Sequence, residues 1–261
     1  MDIPPGAHWQ HDGLAAWLGD CLQIMRQWPD ELVDLVVTSP PYFIGKEYET
    51  GWTWEEYSAL ISGFYHEAFR LLQPGRYLVI NFGELHNSKG RMYPAEVPSV
   101  FPAAVPHWQW GRDAGFDLQA SRIWRKHFAR CGVSFVVNRR PRNVFDYEHI
   151  WTWRKPGREG EEWCADRRLS QRGVLGEDWG SPARLDRHCA AFPLELPTWA
   201  IKVHSREPGE IVLDPFGGSL TTVLAAHNQG RRGWAIELDP DYLDTGLARL
   251  RKELAQTELP L

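Results

Sequence analysis

Short apolar runs along this chain alternate with longer stretches in which apolar residues return every three or four positions. The runs at 31–37 (ELVDLVV), 76–83 (RYLVINFG), 210–214 (EIVLD) and 231–239 (RRGWAIELD) have the length and branching of buried parallel strands. Helical spacing is found at 54–75, where Pro74-Gly75 predicts the helix end, and at 193–205, 219–230 and 240–255. Two further segments, 117–126 and 146–156, read as strands, while the prolines of 97–116 leave that segment ambiguous. Residues 155–187 are rich in Gly, Arg and acids and show little periodicity, as in a loop-rich insert. The alternation predicts an α/β fold with a doubly wound, mostly parallel sheet. The expected catalytic core comprises residues 1–135 and 188–261, and the expected insert 136–187.

Ligands of open α/β sheets bind beyond the carboxyl ends of the strands. Two predicted strands end in loops that invite chemistry. After strand 210–214 comes DPFGGSLTT, an acid and a glycine-rich turn leading into a helix. Such a turn lets backbone approach a ligand and exposes the free N–H groups of a helix start. About 20 residues on, the next strand ends at Glu237, the usual place for an acid that takes ribose hydroxyls. The turn alone equally describes a tight strand–helix connection; Asp214 and Glu237 move the reading to a nucleoside-containing cofactor. Neither GxxxxGK[ST] nor GxGxxG occurs, so the cofactor has one nucleoside and no pyrophosphate. The other loop, Ser39-Pro40-Pro41-Tyr42, follows strand 31–37. Its prolines fix φ and remove donors, leaving the Ser39 hydroxyl and backbone carbonyls as acceptors beside an aromatic face. This suits a planar ring bearing an amine; a plain Pro-Pro turn is the competing reading.

Net charge, −5, argues weakly against a nucleic-acid partner, but its distribution argues the other way. Residues 122–187 hold 15 Lys+Arg and 9 Asp+Glu, a balance of +6, against 14 and 25 elsewhere, a balance of −11. A basic middle in an acidic chain fits a phosphate backbone, and equally a solvated mixed-charge surface. At 261 residues the chain suits one large domain with a small insert. No apolar run reaches about 18 residues, and the first residues lack a basic-then-apolar pattern, so neither a membrane span nor a signal peptide is expected. Cys21, Cys131, Cys164 and Cys189 form no CxxC pair, and the ten histidines form no HExxH. Reduced thiols, a cytoplasmic location and no metal are expected. Most of the 14 tryptophans are expected in the core.

TSPPY followed far downstream by DPFGGSLTT resembles the amino-group DNA methyltransferases that use S-adenosylmethionine, in the motif order of their permuted β class. Residues 19–42, 187–201 and 233–250 extend the resemblance over most of the chain. The resemblance implies a Rossmann-like methyltransferase fold with a small target-recognition insert. It implies that Asp214, Phe216, Gly218, Ser219 and Thr221 wrap the methionine and ribose, and that Glu237 binds ribose hydroxyls. Asp20 would lie near the adenine, and His188, Phe192 and Pro193 near the methionine end. Ser39, Pro40, Pro41 and Tyr42 would be the catalytic loop. Ser in its first position points to N4 of cytosine, with N6 of adenine as the alternative. Methylation of RNA or of a protein glutamine amide is a further alternative, and the glutamine reading fits the serine less well. The base would be flipped out of duplex DNA, and no covalent enzyme–base intermediate is needed. Arg139, Arg140, Arg142, Arg154, Lys155, Arg167, Arg168 and Arg172 are the candidate DNA contacts. A homodimer and a cognate restriction endonuclease are further partners the resemblance admits. One departure stands out. The family usually reads Asp-Pro-Phe-x-Gly-Ser-Gly-Thr-Thr, and here the last glycine is Leu220. A side chain there is expected to crowd the methionine moiety or shift the helix start, and it suggests a further alternative, a non-catalytic DNA-binding protein with a decayed cofactor site.

Overall fold

Strand residues that alternate between two helix layers leave no exposed face, which is why the central strands are apolar almost throughout. The computed structural model describes residues 2–43, 51–86, 100–126, 147–157, 167–176, 179 and 192–257. Along the chain run β1 (Trp9–His11), β2 (Leu14–Leu18), α1 (Cys21–Met25), β3 (Val33–Thr38), α2 (Trp54–Leu71), β4 (Leu72–Phe82), β5 (Leu85–His86) and β6 (Val100–Phe101). There follow α3 (Ala104–Asp113), β7 (Asp117–Arg125), β8 (Tyr147–Arg154), α4 (Arg167–Ser170), β9 (Val174–Leu175) and α5 (Glu195–His204). The last four are β10 (Ile211–Asp214), α6 (Thr221–Asn228), β11 (Arg232–Glu237) and α7 (Pro240–Thr257).

Nine strands form one mixed sheet in the order β1-β2-β11-β10-β3-β4-β8-β7-β9. The five from β2 to β4 in that order are mutually parallel; β1 and β8 are antiparallel to their neighbours. This is the doubly wound α/β fold expected. In β3, Val36 faces a core shared with α1, α2 and α3, while Leu35 and Val37 face a core shared with α5 and α6. A third cluster joins β2, α6 and α7. Tryptophans fill these layers as expected; Trp17, Trp28 and Trp234 meet edge to face.

Three expectations change. Helix α2 ends at Leu71, not at Pro74-Gly75, because Leu72 is already extended (φ −68°, ψ 138°) and starts the long strand β4, which contains both residues. The ambiguous segment holds α3, with Pro106 in its first turn, where no intrahelical N–H bond is lost. Strand β8 falls within the expected insert 136–187, yet it pairs with β4 and β7 inside the main sheet. Its alternating Ile150, Trp151 and Trp153 are buried against both layers, so residues 147–154 belong to the core.

Chain from β3 crosses through α2 to β4 on one side, and chain from β10 crosses through α6 to β11 on the other. The sheet therefore changes winding direction between β3 and β10, which are hydrogen-bonded neighbours. A crevice opens where loops leave adjacent strands in opposite directions.

Candidate active site at the switch point

A cavity of about 390 Å³ lies at the carboxyl ends of β2, β3, β10 and β11. Ser39, Pro40, Pro41 and Tyr42 from the loop after β3 line one part of it; Phe216, Gly218, Ser219 and Thr221 after β10 line another. Glu237 at the end of β11, Asp20 at the end of β2 and Phe192 before α5 complete the expected set that reaches it. Residues far apart in the chain thus share a wall because their strands are neighbours.

Each wall has a local cause. Asp20 is the N-cap of α1; its Oδ1 accepts from Gln23 N at 2.8 Å. Glu237 accepts from Gly218 N at 2.6 Å and from Asp239 N at 2.9 Å, so one carboxylate braces two turns. Burial pushes its pKa upward against these donors. The Phe216 ring meets Phe64 of α2 edge-on at 5.3 Å. Phe43 closes the Ser39–Tyr42 loop in a left-handed conformation (φ 56°), and its buried ring stacks on Tyr57 at 5.0 Å. Tyr57 in turn donates to the Pro41 carbonyl at 3.1 Å.

Asp214 does not line the cavity. It is 1% exposed beneath it and accepts from Thr38 Oγ1 at 2.6 Å, Thr222 Oγ1 at 2.7 Å and Phe216 N at 3.1 Å. It therefore bolts the end of β3 to the turn after β10. Burial raises its pKa to about 6, and the three donors hold it from rising further. Pro193 is also buried away from the cavity, its carbonyl accepting from Leu196 N at the start of α5. His188 lies outside the described residues.

Residues 33–248 match the DNA methylase family of N6/N4 methyltransferases. The chain belongs to this family. It is 30% identical to the Type II methyltransferase M.ScaI of Streptomyces caespitosus over 90% of this chain and 80% of that one. It is 25% identical to the Type II beta methyltransferase M.BslI of a Bacillus species, spanning only 28% of that longer protein. Among solved structures it resembles TTHA0409 of Thermus thermophilus, a putative DNA modification methylase complexed with S-adenosyl-L-methionine (28% identity, 91% and 93% coverage, TM-score 0.64). It also shares the fold of the cytosine-N4-specific PvuII DNA methyltransferase (23% identity, 95% and 90% coverage, TM-score 0.73).

Leu220, the departure from the family motif, does not line the cavity. Helix α6 starts at Thr221, directly after it. Leu220 adopts the left-handed conformation (φ 59°, ψ 30°) that favours glycine, and its side chain, 1% exposed, packs with Leu14, Leu243 and Leu247 on the far side of the turn. The backbone cost is about 1–2 kcal/mol, and burying the side chain returns about 1.5–3 kcal/mol. The side chain is thus directed into the cluster under α7 and not into the cavity.

Polar groups that no sequence motif marks also stand at the site. Behind Tyr42, its hydroxyl meets Ser39 Oγ at 2.9 Å, Asn81 Oδ1 at 3.1 Å and Glu148 Oε2 at 3.1 Å. Lys126 Nζ donates to the other oxygen of Glu148, Oε1. Asn81 interrupts the apolar run of β4 and Glu148 that of β8, a signal visible in the sequence only once both segments are known to be buried. Cys21 also faces the cavity, but burial and the neighbouring Asp20 push its thiol up to about 12, so it stays protonated.

The candidate DNA contacts separate. Arg139, Arg140 and Arg142 lie outside the described residues, as does the side chain of Arg167. Arg168 and Arg172 are exposed next to β9, which pairs with the carboxyl half of β7, at the same end of the sheet as the cavity. Arg154 and Lys155 are at the opposite end, where β8 passes the start of β4. Lys155 is buried, its Nζ donating to Leu72 O at 2.7 Å and lying over the Phe69 ring. These two residues serve the underside of the fold, because β8 runs antiparallel and carries its last residues away from the cavity.

Proposed function

We propose that this chain transfers the methyl group of S-adenosylmethionine to the N4 amine of a cytosine flipped out of duplex DNA. The observation that carries the proposal is that Ser39 and Tyr42 share one cavity with the Phe216–Thr221 turn and with the carboxylates of Asp20 and Glu237. Two carboxylates, two aromatic rings and a helix start fit a cationic, hydroxyl-bearing nucleoside in a cavity of this volume. Phe192 would close the methionine end. S-adenosylmethionine supplies, when bound, an electrophilic methyl on a sulfonium.

The residues of this chain do the rest by positioning. Ser39 Oγ and a carbonyl of the Ser39-Pro40 segment accept from the exocyclic amine and turn its lone pair out of conjugation. Tyr42 stacks on the ring. The N4 specificity of the PvuII enzyme supports cytosine, as does serine in the first position of the loop. Leu220, turned away from the cavity, removes the reason for reading the site as decayed. Arg168 and Arg172 would meet DNA phosphates on the cavity side. The Type II relatives support a restriction endonuclease acting on the same site.

Labelled methyl transfer to mixed-sequence duplex DNA followed by nucleoside mass analysis tests the proposal. The expected product is N4-methylcytosine, reduced at least about 100-fold in Ser39→Ala. N6-methyladenine would reverse the base assignment and keep the reaction class.

A further inference from the structure

Transfer of a methyl group to an exocyclic amine leaves that nitrogen with one proton too many. The hydrogen bonds behind Tyr42 form a path for it. Ser39 lines the cavity, Tyr42 Oη lies 2.9 Å from its Oγ, and Glu148 Oε2 is 3.1 Å from Tyr42 Oη. Glu148 comes from β8 and is 8% exposed. Its Oε1 is held by Lys126 from the end of β7, which fixes Oε2 towards Tyr42.

The donor directions along this path follow from what each group can do. A carboxylate only accepts, and so does Asn81 Oδ1, because Asn81 Nδ2 is committed to the His149 carbonyl at 3.0 Å. The single proton of Tyr42 must therefore point at one of these acceptors, and the charged one is the stronger. Ser39 then donates to Tyr42 Oη, leaving its own lone pairs towards the cavity. This is the polarity needed to accept from an amine. Of the two acceptors behind Tyr42, only Glu148 can take up a proton and keep it; an amide cannot.

We propose that Ser39, Tyr42 and Glu148 form a proton relay that ends on Glu148, which acts as a positioning and proton-accepting residue without touching the base. The inference rests on the function proposed above. The amine lone pair forms the new N–C bond while the S–C bond breaks, its electron pair staying on sulfur, which becomes neutral. The amine proton passes to Ser39 Oγ, the Ser39 proton to Tyr42 Oη, and the Tyr42 proton to Glu148 Oε2. One carboxylate is protonated for each methyl transferred, and Lys126 marks the side from which solvent can take the proton away. The Tyr42 ring itself lies against Gly83, where a Cβ would come within 3.2 Å of it, so the hydroxyl has little room to swing off the path.

The test is single-turnover methyl transfer by the full chain on duplex DNA, in H2O and D2O, for wild type, Glu148→Gln, Tyr42→Phe and the double variant. S-adenosylmethionine affinity and thermal midpoint are measured alongside. Glu148→Gln keeps shape and size, and Tyr42→Phe keeps the stacking ring. The expected result is a loss of about 100-fold or more in Glu148→Gln with cofactor affinity retained. A normal solvent isotope effect in wild type disappears in that variant. The double variant is no slower than Tyr42→Phe, since residues of one relay fail as a unit. A Glu148→Gln enzyme at the wild-type rate, or losses that simply multiply in the double variant, overturns the relay while leaving the proposed function standing. If Glu148→Gln does not fold, Tyr42→Phe decides alone: a full rate overturns the relay and a 100-fold loss with the isotope effect gone supports it. Methylation of adenine by wild type with the same pattern of losses supports the relay and overturns the choice of base. No methyl on any base overturns both.

Discussion

Single residues carry unequal shares of this site. Asp214 touches no part of the cavity, yet three donors converge on it from both loops. Its carboxyl sits at about 6 in the folded protein against an ordinary value of 3.8, because burial disfavours the charge. A folded value above the unfolded one means that the native state holds the proton longer. Stability from this residue is thus fully present below about pH 4 and is lost as pH rises through 6. The gap corresponds to about 3 kcal/mol. Asp214→Asn has no such titration. The unfolding free energy of wild type minus that of Asp214→Asn, from urea melts at pH 4 and pH 7, should fall by about 2 kcal/mol over that interval; an unchanged difference would mean that the buried carboxyl is not the titrating group. Of the motif residues, Ser39, Tyr42, Phe216 and Glu237 were legible from side-chain chemistry and position in the motif. The bolt between Thr38 and Asp214 was not, since it spans 176 residues and depends on β3 and β10 becoming neighbours.

At the level of elements, the turn between β10 and α6 is shaped from outside by α7. Gly246 of α7 sits where a Cβ would come within 2.8 Å of Leu220 Cγ and 2.9 Å of the Ser219 backbone carbon. Absence of a side chain at 246 makes room for the extra one at 220. Gly246→Ala would gain about 1 kcal/mol of helix propensity and lose about 1–3 kcal/mol to overpacking. The Ser219 backbone would have to move, so the expected outcome is a small net destabilisation with a several-fold weaker S-adenosylmethionine affinity by calorimetry. Unchanged affinity would show that the turn is not held by α7. The strands and most helices were readable from periodicity, because burial on two faces or on one stripe imposes it. The end of α2 was not: Pro74-Gly75 is a good helix stop, but β4 had already claimed the chain from Leu72 by pairing with Val33 of β3.

On the scale of the whole molecule, charge is separated from chemistry. The acidic majority of the chain supplies Asp20 and Glu237 to the cavity, while the +6 segment of 122–187 supplies exposed arginines at the same end of the sheet. If Arg168 and Arg172 each neutralise one phosphate, replacing both with Ala lowers the slope of log affinity against log salt by about two. Fluorescence anisotropy on duplex DNA between low and physiological salt measures this slope. The same change at Lys155 should leave the slope alone and lower stability instead, since its ammonium is spent on the Leu72 carbonyl.

The sequence by itself determined the sheet architecture, the family and the two loops that meet at the cavity. These are local properties: burial writes a period into each element, and close approach to a ligand writes glycines, prolines and acids into single turns. Only the tertiary structure decided that β8 belongs to the core, that Leu220 points away from the cavity and that Lys155 lies under the sheet. It alone placed Glu148 behind Tyr42. Each of these depends on which strands become neighbours and in which direction they run, and strand order is a property of the whole packed chain that no local period records.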